Sequence, residues 1–316
     1  MKIETFKIEN ISEDYLLKSI SFPSNEEYSR LKDSILKYGI QSPIVIFEKD
    51  SKLNIIDGYK RFNIAKLEKI NSINCIVVNN IYEENLIIKY TLYNSFRKLN
   101  DVETATLITT LIENHPPLLP KIFEILELKY SEKQIQYFKN ITKLNFKFKL
   151  LLVENQLNRN IIQRLSSLSD TEQEIYFNIF KTLRLNNNKQ KKCFDMINDL
   201  ILRDNTDIKN LLHQIYPNLI NSGYSKDMED TFFSKLEKLH SPEYFNFHSL
   251  IEDFKDKLKL SRSGINIYSP SFYEDGIFKT EIFFKNIDEL AKKVKFLEKK
   301  IDEIKDNEEF RKIFNY

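Results

Sequence analysis

The chain has 316 residues, a net charge of +2 from 48 basic and 46 acidic side chains, 41% hydrophobic residues, five glycines and no tryptophan. That length suggests about two or three domains, and so small a net charge means that any nucleic-acid contact must come from local clustering of cations. Cys75 and Cys193 lack CxxC spacing and the four histidines form no HExxH, so neither a disulfide framework nor a zinc or haem site is expected.

No apolar run approaches the ~18 residues of a membrane helix. The opening MKIETFKIENISEDY mixes charge throughout, unlike a signal peptide, so a cytoplasmic protein with no membrane partner is expected. Five glycines and the absence of GxxxxGK[ST] exclude a P-loop.

Ser24-x-x-Glu27 reads as a capping box, and Tyr28, Leu31, Ile35 and Tyr38 follow at helical spacing to a stop at Gly39. Ile44–Phe47 and Leu53–Ile56 read as paired strands. Arg61–Lys69 reads as a helix with Phe62, Ala65 and Leu67 inward, and Cys75–Val78 as a third strand. The result is an α/β unit of roughly 80 residues.

Two turns in this unit stand out. Gly39, Ile40, Gln41, Ser42 and Pro43 feed the first strand. Asp57, Gly58, Tyr59, Lys60 and Arg61 link the second strand to a helix. A glycine there admits a ligand close to the backbone, a helix N-terminus offers N–H groups, and Lys60 and Arg61 add cations, which together suit a phosphate. An ordinary strand–turn–helix with a solvated Lys-Arg pair satisfies the same residues.

Helices dominate from Glu83 to about residue 260. Leu86–Arg97 is one, with Asn94 and Arg97 on one face and Tyr93 and Phe96 expected in a core or domain interface. Asn100-x-x-Glu103 caps the next helix, which His115-Pro116-Pro117 breaks. Leu119–Leu128 is a short helix. Ser131-x-x-Gln134 then opens another, ending at Leu144, so the pair has the outline of a helix-turn-helix. The second helix presents Ser131, Lys133, Gln134, Gln136, Tyr137, Lys139 and Lys143, side chains able to contact base edges or phosphates. Residues 118–168 hold nine basic side chains against four acidic ones, the most basic folded stretch. Glu132 at the start of that helix and a turn without glycine count against the DNA reading, and a purely structural bundle stays open. Further helices are expected over Phe146–Glu154, Asn158–Leu168, Thr171–Leu183 and Cys193–Leu202. A mixed linker with some helix covers 203–230, with helices at Thr231–Leu239 and Phe247–Leu258.

Near the C-terminus, Ile265–Tyr268 and Ile277–Phe284 read as strands. Ile287, Leu290, Val294, Leu297, Ile301 and Ile304 then form a seam of alternating three- and four-residue steps, which suits either a buried helix face or a dimerising coiled coil. No carboxylate pair and no Ser-His-Asp arrangement marks a hydrolytic centre.

In order and spacing, these parts resemble the ParB family of chromosome and plasmid partition proteins. Ser34-Ile35-x-x-x-Gly39-Ile40-x-x-Pro43-Ile44-Val45 is similar to the family's SIxxxGLxxPIxV segment. Ile56–Ala65 is similar to its IxGERRxRAA box, and Asn94-Ser95-Phe96-Arg97 with Leu99-Asn100 and Glu103-Thr104-Ala105 to ENxxR…LNPxEEA. Ser131–Leu144 resembles the recognition-helix segment, and Val153–Leu157 the stretch after it. Phe284–Asn286 with the seam helix resembles the C-terminal dimerisation module.

The resemblance implies an α+β ParB/sulfiredoxin-like nucleotide-binding domain at 1–98 and an all-α helix-turn-helix domain at 99–202. A helical linker at 203–260 and a small α/β dimerisation module at 261–316 follow. It implies CTP with magnesium, Gly39–Pro43 near the base, Gly58, Lys60 and Arg61 at the phosphates, and Asn94 supporting the metal beside Arg97. It further implies sequence-specific double-stranded DNA binding, a homodimer that closes as a clamp on DNA, a partition ATPase partner and association with the nucleoid. The chain departs from the family at Tyr59 and Tyr93, where acids are expected, and at Lys60 and Asn63, where arginines are. A magnesium ligand is thereby lost, which leaves at most a weak CTP hydrolase. Two other readings stay open: a nucleotide-dependent phosphotransferase or hydrolase on the same fold, and a divergent DNA-binding regulator without nucleotide switching.

Overall fold

The computed structural model describes residues 3–12, 16–49, 51–78, 83–217, 225–258, 260, 263–268 and 278–308. Two compact units divide the chain, one over Met1–Asp195 and one over Met196–Pro217 with Ser225–Tyr316.

The first unit begins with β1 (Ile3–Lys7), β2 (Ile11–Ser12), α1 (Asn25–Tyr38), β3 (Ile44–Lys49), β4 (Lys52–Asp57), α2 (Tyr59–Leu67), β5 (Ser72–Val78) and α3 (Glu83–Ser95). The sheet runs β1-β5-β3-β4-β2, with antiparallel β1/β5 and β3/β4 pairs and parallel β3/β5 and β2/β4 pairs. Ile44, Val45, Ile46 and Phe47 are all buried, as an unbroken apolar run in a central strand requires. The β3/β4 register shifts between Val45 and Ile46, which sets Asp57 opposite Val45 at the end of the hairpin. Helix α2 packs on β3, and α3 on β4.

In α2 the inward residues are Phe62, Ile64 and Ala65, whereas Leu67 is 69% exposed and does not join the core. The helix ends at Leu67, with Glu68 as its C-cap. The Ser24 hydroxyl accepts the Glu27 N–H at the start of α1, but the Glu27 carboxylate goes to Lys60 instead of completing the reciprocal box.

Helices continue with α4 (Asp101–Asn114), α5 (Leu119–Ile125), α6 (Glu132–Thr142), α7 (Phe146–Val153), α8 (Ile162–Leu165), α9 (Asp170–Thr182) and α10 (Asn187–Asp204). Asn100 and Glu103 complete a capping box on α4. That helix is the core of the bundle, burying Val102, Ala105, Leu107, Ile108 and Leu111 against α5, α6 and α7. The α5–α6 turn lacks glycine, and Glu127 takes the left-handed conformation at φ 56°, at a cost of roughly 1 kcal/mol. Leu128 N–H closes the turn on the Phe123 carbonyl, and Phe123 makes edge contacts with Tyr130 and Phe138.

Two buried glutamines hold the later turns by the same device. Gln173 accepts the Asn145 N–H and donates to the Lys143 and Leu168 carbonyls. Gln190 accepts the Asn158 N–H and donates to the Gln156 and Leu185 carbonyls. The polar stretch 186–192 is the start of α10, with Asn186 accepting the Lys189 N–H.

The second unit contains the end of α10, then α11 (Ile208–Ile215), α12 (Lys226–His240), α13 (Pro242–Leu258), β6 (Ile265–Tyr268), β7 (Lys279–Ile282) and α14 (Ile287–Ile304). The expected 203–230 linker therefore contains an ordered helix, α11, and Ile277 lies outside the described residues. Arg203 donates to the His240 and Leu239 carbonyls and so closes the end of α12. Strands β6 and β7 pair antiparallel, Ile265 opposite Ile282. Ile251, Phe254, Leu258, Leu260 and Ile265 form a core on which Ile282, Leu297 and Ile304 pack. The seam of α14 is thus split. Leu297 and Ile304 serve this core, while Ile287, Val294 and Ile301 are exposed by 81%, 47% and 44%. No helix among the described residues is long and apolar enough to cross a membrane.

Candidate functional site

The turn after β4 is built around Gly58, whose φ of +100° disfavours any side chain. A Cβ there would stand 2.6 Å from Ile44 Cγ2, so the turn can press against β3 only because the residue is glycine. Gly58 caps α2 without a side chain, leaving first-turn N–H groups directed outward. A cavity of about 220 Å³ opens here, bordered by Glu27, Asp57, Gly58, Lys60, Tyr90 and Arg97 among others. Its small size and cationic wall suit phosphate groups better than a complete nucleotide.

Each cation at this cavity already has an internal partner. Arg61 Nη1 donates to the Ser42 and Pro43 carbonyls at 2.7 and 2.9 Å, and Nη2 lies 3.0 Å from Asp57 Oδ2. The first candidate turn is thereby tied to the second through one guanidinium. Lys60 Nζ lies 2.5 Å from Glu27 Oε1 and 3.5 Å from Glu103 Oε1. Arg97 grips Glu103 with both terminal nitrogens, at 2.8 and 3.1 Å, and its Nε donates to Asn94 Oδ1 at 2.6 Å. Burial works against the Arg97 charge, but the Glu103 hydrogen bonds and charge outweigh it, so its pKa is raised above the ordinary arginine value.

The other candidates divide clearly. Tyr59 is buried and donates to the Ile55 carbonyl at 2.9 Å, so its hydroxyl serves the core. Gly39 has φ +71° and closes α1. Ile40 is half-buried, Gln41 and Ser42 are exposed, and the Gln41 amide donates to the Tyr38 carbonyl. Asn94 is buried, with Nδ2 donating to Asp57 Oδ1 and the Tyr90 carbonyl while Oδ1 accepts from Arg97. A metal at Asn94 would compete with Arg97 for that oxygen, and Asp57 is held by Arg61 and Asn94. The described residues contain no cluster of three or more His, Cys, Asp or Glu side chains that could hold a metal ion. The site therefore offers donors for phosphate oxygens, but not the carboxylate set that suits magnesium.

Two aromatic expectations fail. Helix α3 ends at Ser95, and Phe96 beyond it is 95% exposed, while Tyr93 on its rim is 38% exposed. Neither is a core residue of this chain, and past the end of α3 the backbone turns at Lys98, which is left-handed at φ 57°. Glu27, Tyr90 and Glu103 belong to the site and were not recognised from sequence. In the sequence Glu27 and Glu103 read as capping residues, Glu103 also within a family-like segment, and neither pattern reveals that the carboxylates reach Lys60.

On α6, Ser131 caps the helix by accepting the Gln134 N–H, and Gln134 is half-buried. Gln136 is exposed and donates to Asn140 Oδ1. Tyr137 donates to Asp101 Oδ2 at 3.3 Å, and Arg159 pairs with the same carboxylate at 2.8 Å, so Tyr137 anchors α6 to the start of α4. Burial foremost, then Asp101, pushes its hydroxyl up to about 12. Lys133 and Lys143 are exposed and Lys139 is half-buried. Three other cations of the basic stretch are used internally: Arg159 with Asp101, Lys147 with Glu174 and Arg164 with Asp195.

The fold and site define an α/β domain whose glycine turn borders a small cavity lined by Lys60, Arg61 and Arg97, joined to a helical bundle. Residues 1–95 match the family model described as the ParB N-terminal domain. That match covers the α/β domain and under a third of the chain. The chain is 24% identical over 156 residues to the probable chromosome-partitioning protein ParB of Helicobacter pylori, a match covering 49% of this chain and 53% of that one. The chain thus spans about half the length of that relative. Among solved structures, it is similar to C-terminally truncated ParB of Caulobacter crescentus complexed with CTP-γ-S. The identity is 16%, the coverage 54% of this chain and 94% of that one, and the TM-score 0.27. The same protein complexed to the centromeric parS site gives 15%, 60%, 97% and 0.33. A Pnob8-like ParB-N domain gives 15%, 73%, 97% and 0.35.

Proposed function

We propose that this chain is a dimeric DNA-binding partition protein whose α/β domain takes the triphosphate of CTP at the Gly58–Arg61 turn. The observation that carries this reading is the cradle itself. A glycine that admits no side chain, the uncapped start of α2 and the cations Lys60, Arg61 and Arg97 border one cavity within a ParB N-terminal domain. One solved ParB relative is complexed with CTP-γ-S and with parS DNA, and those ligands are assigned here by family likeness.

In this reading Lys60 and Arg61 hold the phosphates and Gly58 lets the backbone approach them. Gly39–Pro43, tied to Arg61 through its carbonyls, lies where the base would meet the protein. Helix α6 acts as the recognition helix of a helix-turn-helix, with Lys133, Lys139 and Lys143 on DNA phosphates and Gln136 available to a base edge. Tyr137 holds the helix in place. The exposed residues of α14, Ile287, Val294 and Ile301, pack against a second copy. A partition ATPase and the nucleoid are the remaining family partners. Magnesium has no ready carboxylate set, so no hydrolytic step is assigned.

The test is binding of the full chain to double-stranded DNA across a salt series, with and without CTP. A steep fall of affinity with salt is expected from phosphate contacts. No DNA affinity at low salt would sink the reading. The Lys60→Ala, Arg61→Ala double variant should lose CTP binding, and unchanged CTP affinity would remove the turn from the mechanism.

A second reading, a DNA-binding regulator without nucleotide switching, is favoured by the internal neutralisation of all three site cations. DNA binding in the absence of any measurable CTP binding would select it.

A further inference from the structure

Glu103 is fully buried, and five donors converge on it. Arg97 supplies two N–H groups at 2.8 and 3.1 Å, the Asn100 and Phe22 backbone N–H groups each lie at 3.2 Å, and Lys60 Nζ lies at 3.5 Å. Lys60 and Arg97 border the phosphate cavity, whereas Glu103 stands behind them at the first turn of α4. The two cations are therefore shared between a buried carboxylate on one side and the cavity on the other.

Tyr90 borders the same cavity. It is 2% exposed, and its hydroxyl is the one buried side-chain polar atom without a hydrogen-bond partner among the described residues. Such an atom is costly, because its water is lost and nothing replaces it. Burial, and after it the Glu103 charge, hold the phenol protonated, so it is a donor lacking an acceptor. The charges of Glu103, Arg97 and Asp57 all act on it.

We propose that Glu103 is a built-in competitor for the ligand's phosphate. It holds Lys60 and Arg97 in the ligand-free chain, yields them to an entering phosphate, and is then received by the Tyr90 hydroxyl. This rests on the phosphate-site reading above and adds its regulation. The entering phosphate takes the carboxylate's place at the cations, and the displaced carboxylate is left with a neutral hydrogen-bond donor, so the exchange adds negative charge and depends on the phosphate's stronger hold on Lys60 and Arg97. The exchange also reaches the helical bundle. Glu103 holds the Phe22 N–H, and Asn100, which caps the same helix, donates to the Phe22 carbonyl at 2.7 Å. Moving the carboxylate releases the Phe22 N–H along with Lys60 and Arg97, and leaves the Asn100–Phe22 bond to fasten the start of α4 to the α/β domain.

Inorganic triphosphate binding to the full chain tests this. Glu103→Gln should bind triphosphate several-fold more tightly than the wild type, because the amide competes less well for the cations. Tyr90→Phe should bind several-fold more weakly, with a melting temperature of the ligand-free protein no lower than wild type, since it removes only an orphan hydroxyl. Hydrogen exchange at the Phe22 amide should speed up in the wild type when triphosphate is added. Unchanged affinity in Tyr90→Phe, or Glu103→Gln binding no more tightly than wild type, overturns the exchange. If Glu103→Gln does not fold, the Tyr90→Phe affinity decides. Absence of triphosphate binding to the wild type defeats the phosphate-site reading as well. Wild-type binding that is lost in Lys60→Ala but insensitive to Tyr90 defeats the exchange alone.

Discussion

At the scale of single residues, Gly58 carries the greatest constraint. Its positive φ and the 2.6 Å approach to Ile44 Cγ2 act together, so Gly58→Ala combines backbone strain with overpacking. We expect a loss of roughly 2–4 kcal/mol, read as a lower denaturant midpoint, with loss of triphosphate binding in whatever remains folded. A variant with wild-type stability would show that the turn relaxes freely. The glycine and the two cations after it were legible in the sequence because a turn is a local event. The partners of those cations were not, because Glu27 and Glu103 come from other helices and already had an evident local task at helix starts. Tyr59 borders the cavity through its place in the turn, but its hydroxyl goes to the Ile55 carbonyl, a partner no local pattern announces. Cys75 is a similar case on the reactive side. Burial pushes its thiol up to about 11, so it stays protonated and inert at neutral pH.

At the scale of elements, capping patterns located helix starts well, at Ser24, Asn100 and Ser131. They are contained in four residues and need no tertiary partner. The glutamine staples have no such signature. Gln173 joins three backbone groups from two separate turns, and Gln173→Ala should strand them at a cost of roughly 2–4 kcal/mol, measurable by thermal or denaturant unfolding. A change below 0.5 kcal/mol, typical of a surface site, would mean that water replaces the amide. On α6, exposure separates contact residues from anchoring ones. Lys133→Ala with Lys143→Ala should weaken DNA binding about equally for all sequences and reduce the salt slope by about 2. Tyr137→Phe, by contrast, removes the tie to Asp101 and should act through the orientation of α6. An unchanged salt slope in the double lysine variant would take α6 off the DNA backbone.

For the whole molecule, the seam on α14 shows how a sequence pattern can be correct and still ambiguous. A heptad repeat states only that two stripes are apolar. Here one stripe, Leu297 and Ile304, closes the core of its own unit, while Ile287, Val294 and Ile301 stay exposed. The exposed stripe requires a partner if the chain is a dimer. Val294→Asp with Ile301→Asp should then give a monomer by light scattering without unfolding the unit, because neither side chain is in its core. A dimer that survives the double variant would place the interface elsewhere.

By itself, the sequence determined whatever depends on near neighbours. Helix starts, the strand pair, the glycine turn and the order of segments that resembles a ParB protein all follow from backbone propensity and spacing over a few residues. Tertiary structure alone decided which charges meet. Lys60, Arg61 and Arg97 are cations in any reading of the chain. Arg61 finds Asp57 within its own turn, but that Lys60 meets Glu27 and Glu103, and Arg97 meets Glu103, with an unpartnered Tyr90 hydroxyl beside them, follows from the packing of α1, α3 and α4 around that turn. The energy of a charge depends on what lies within a few ångströms of it and on how far water is excluded, and neither can be read from spacing along the chain.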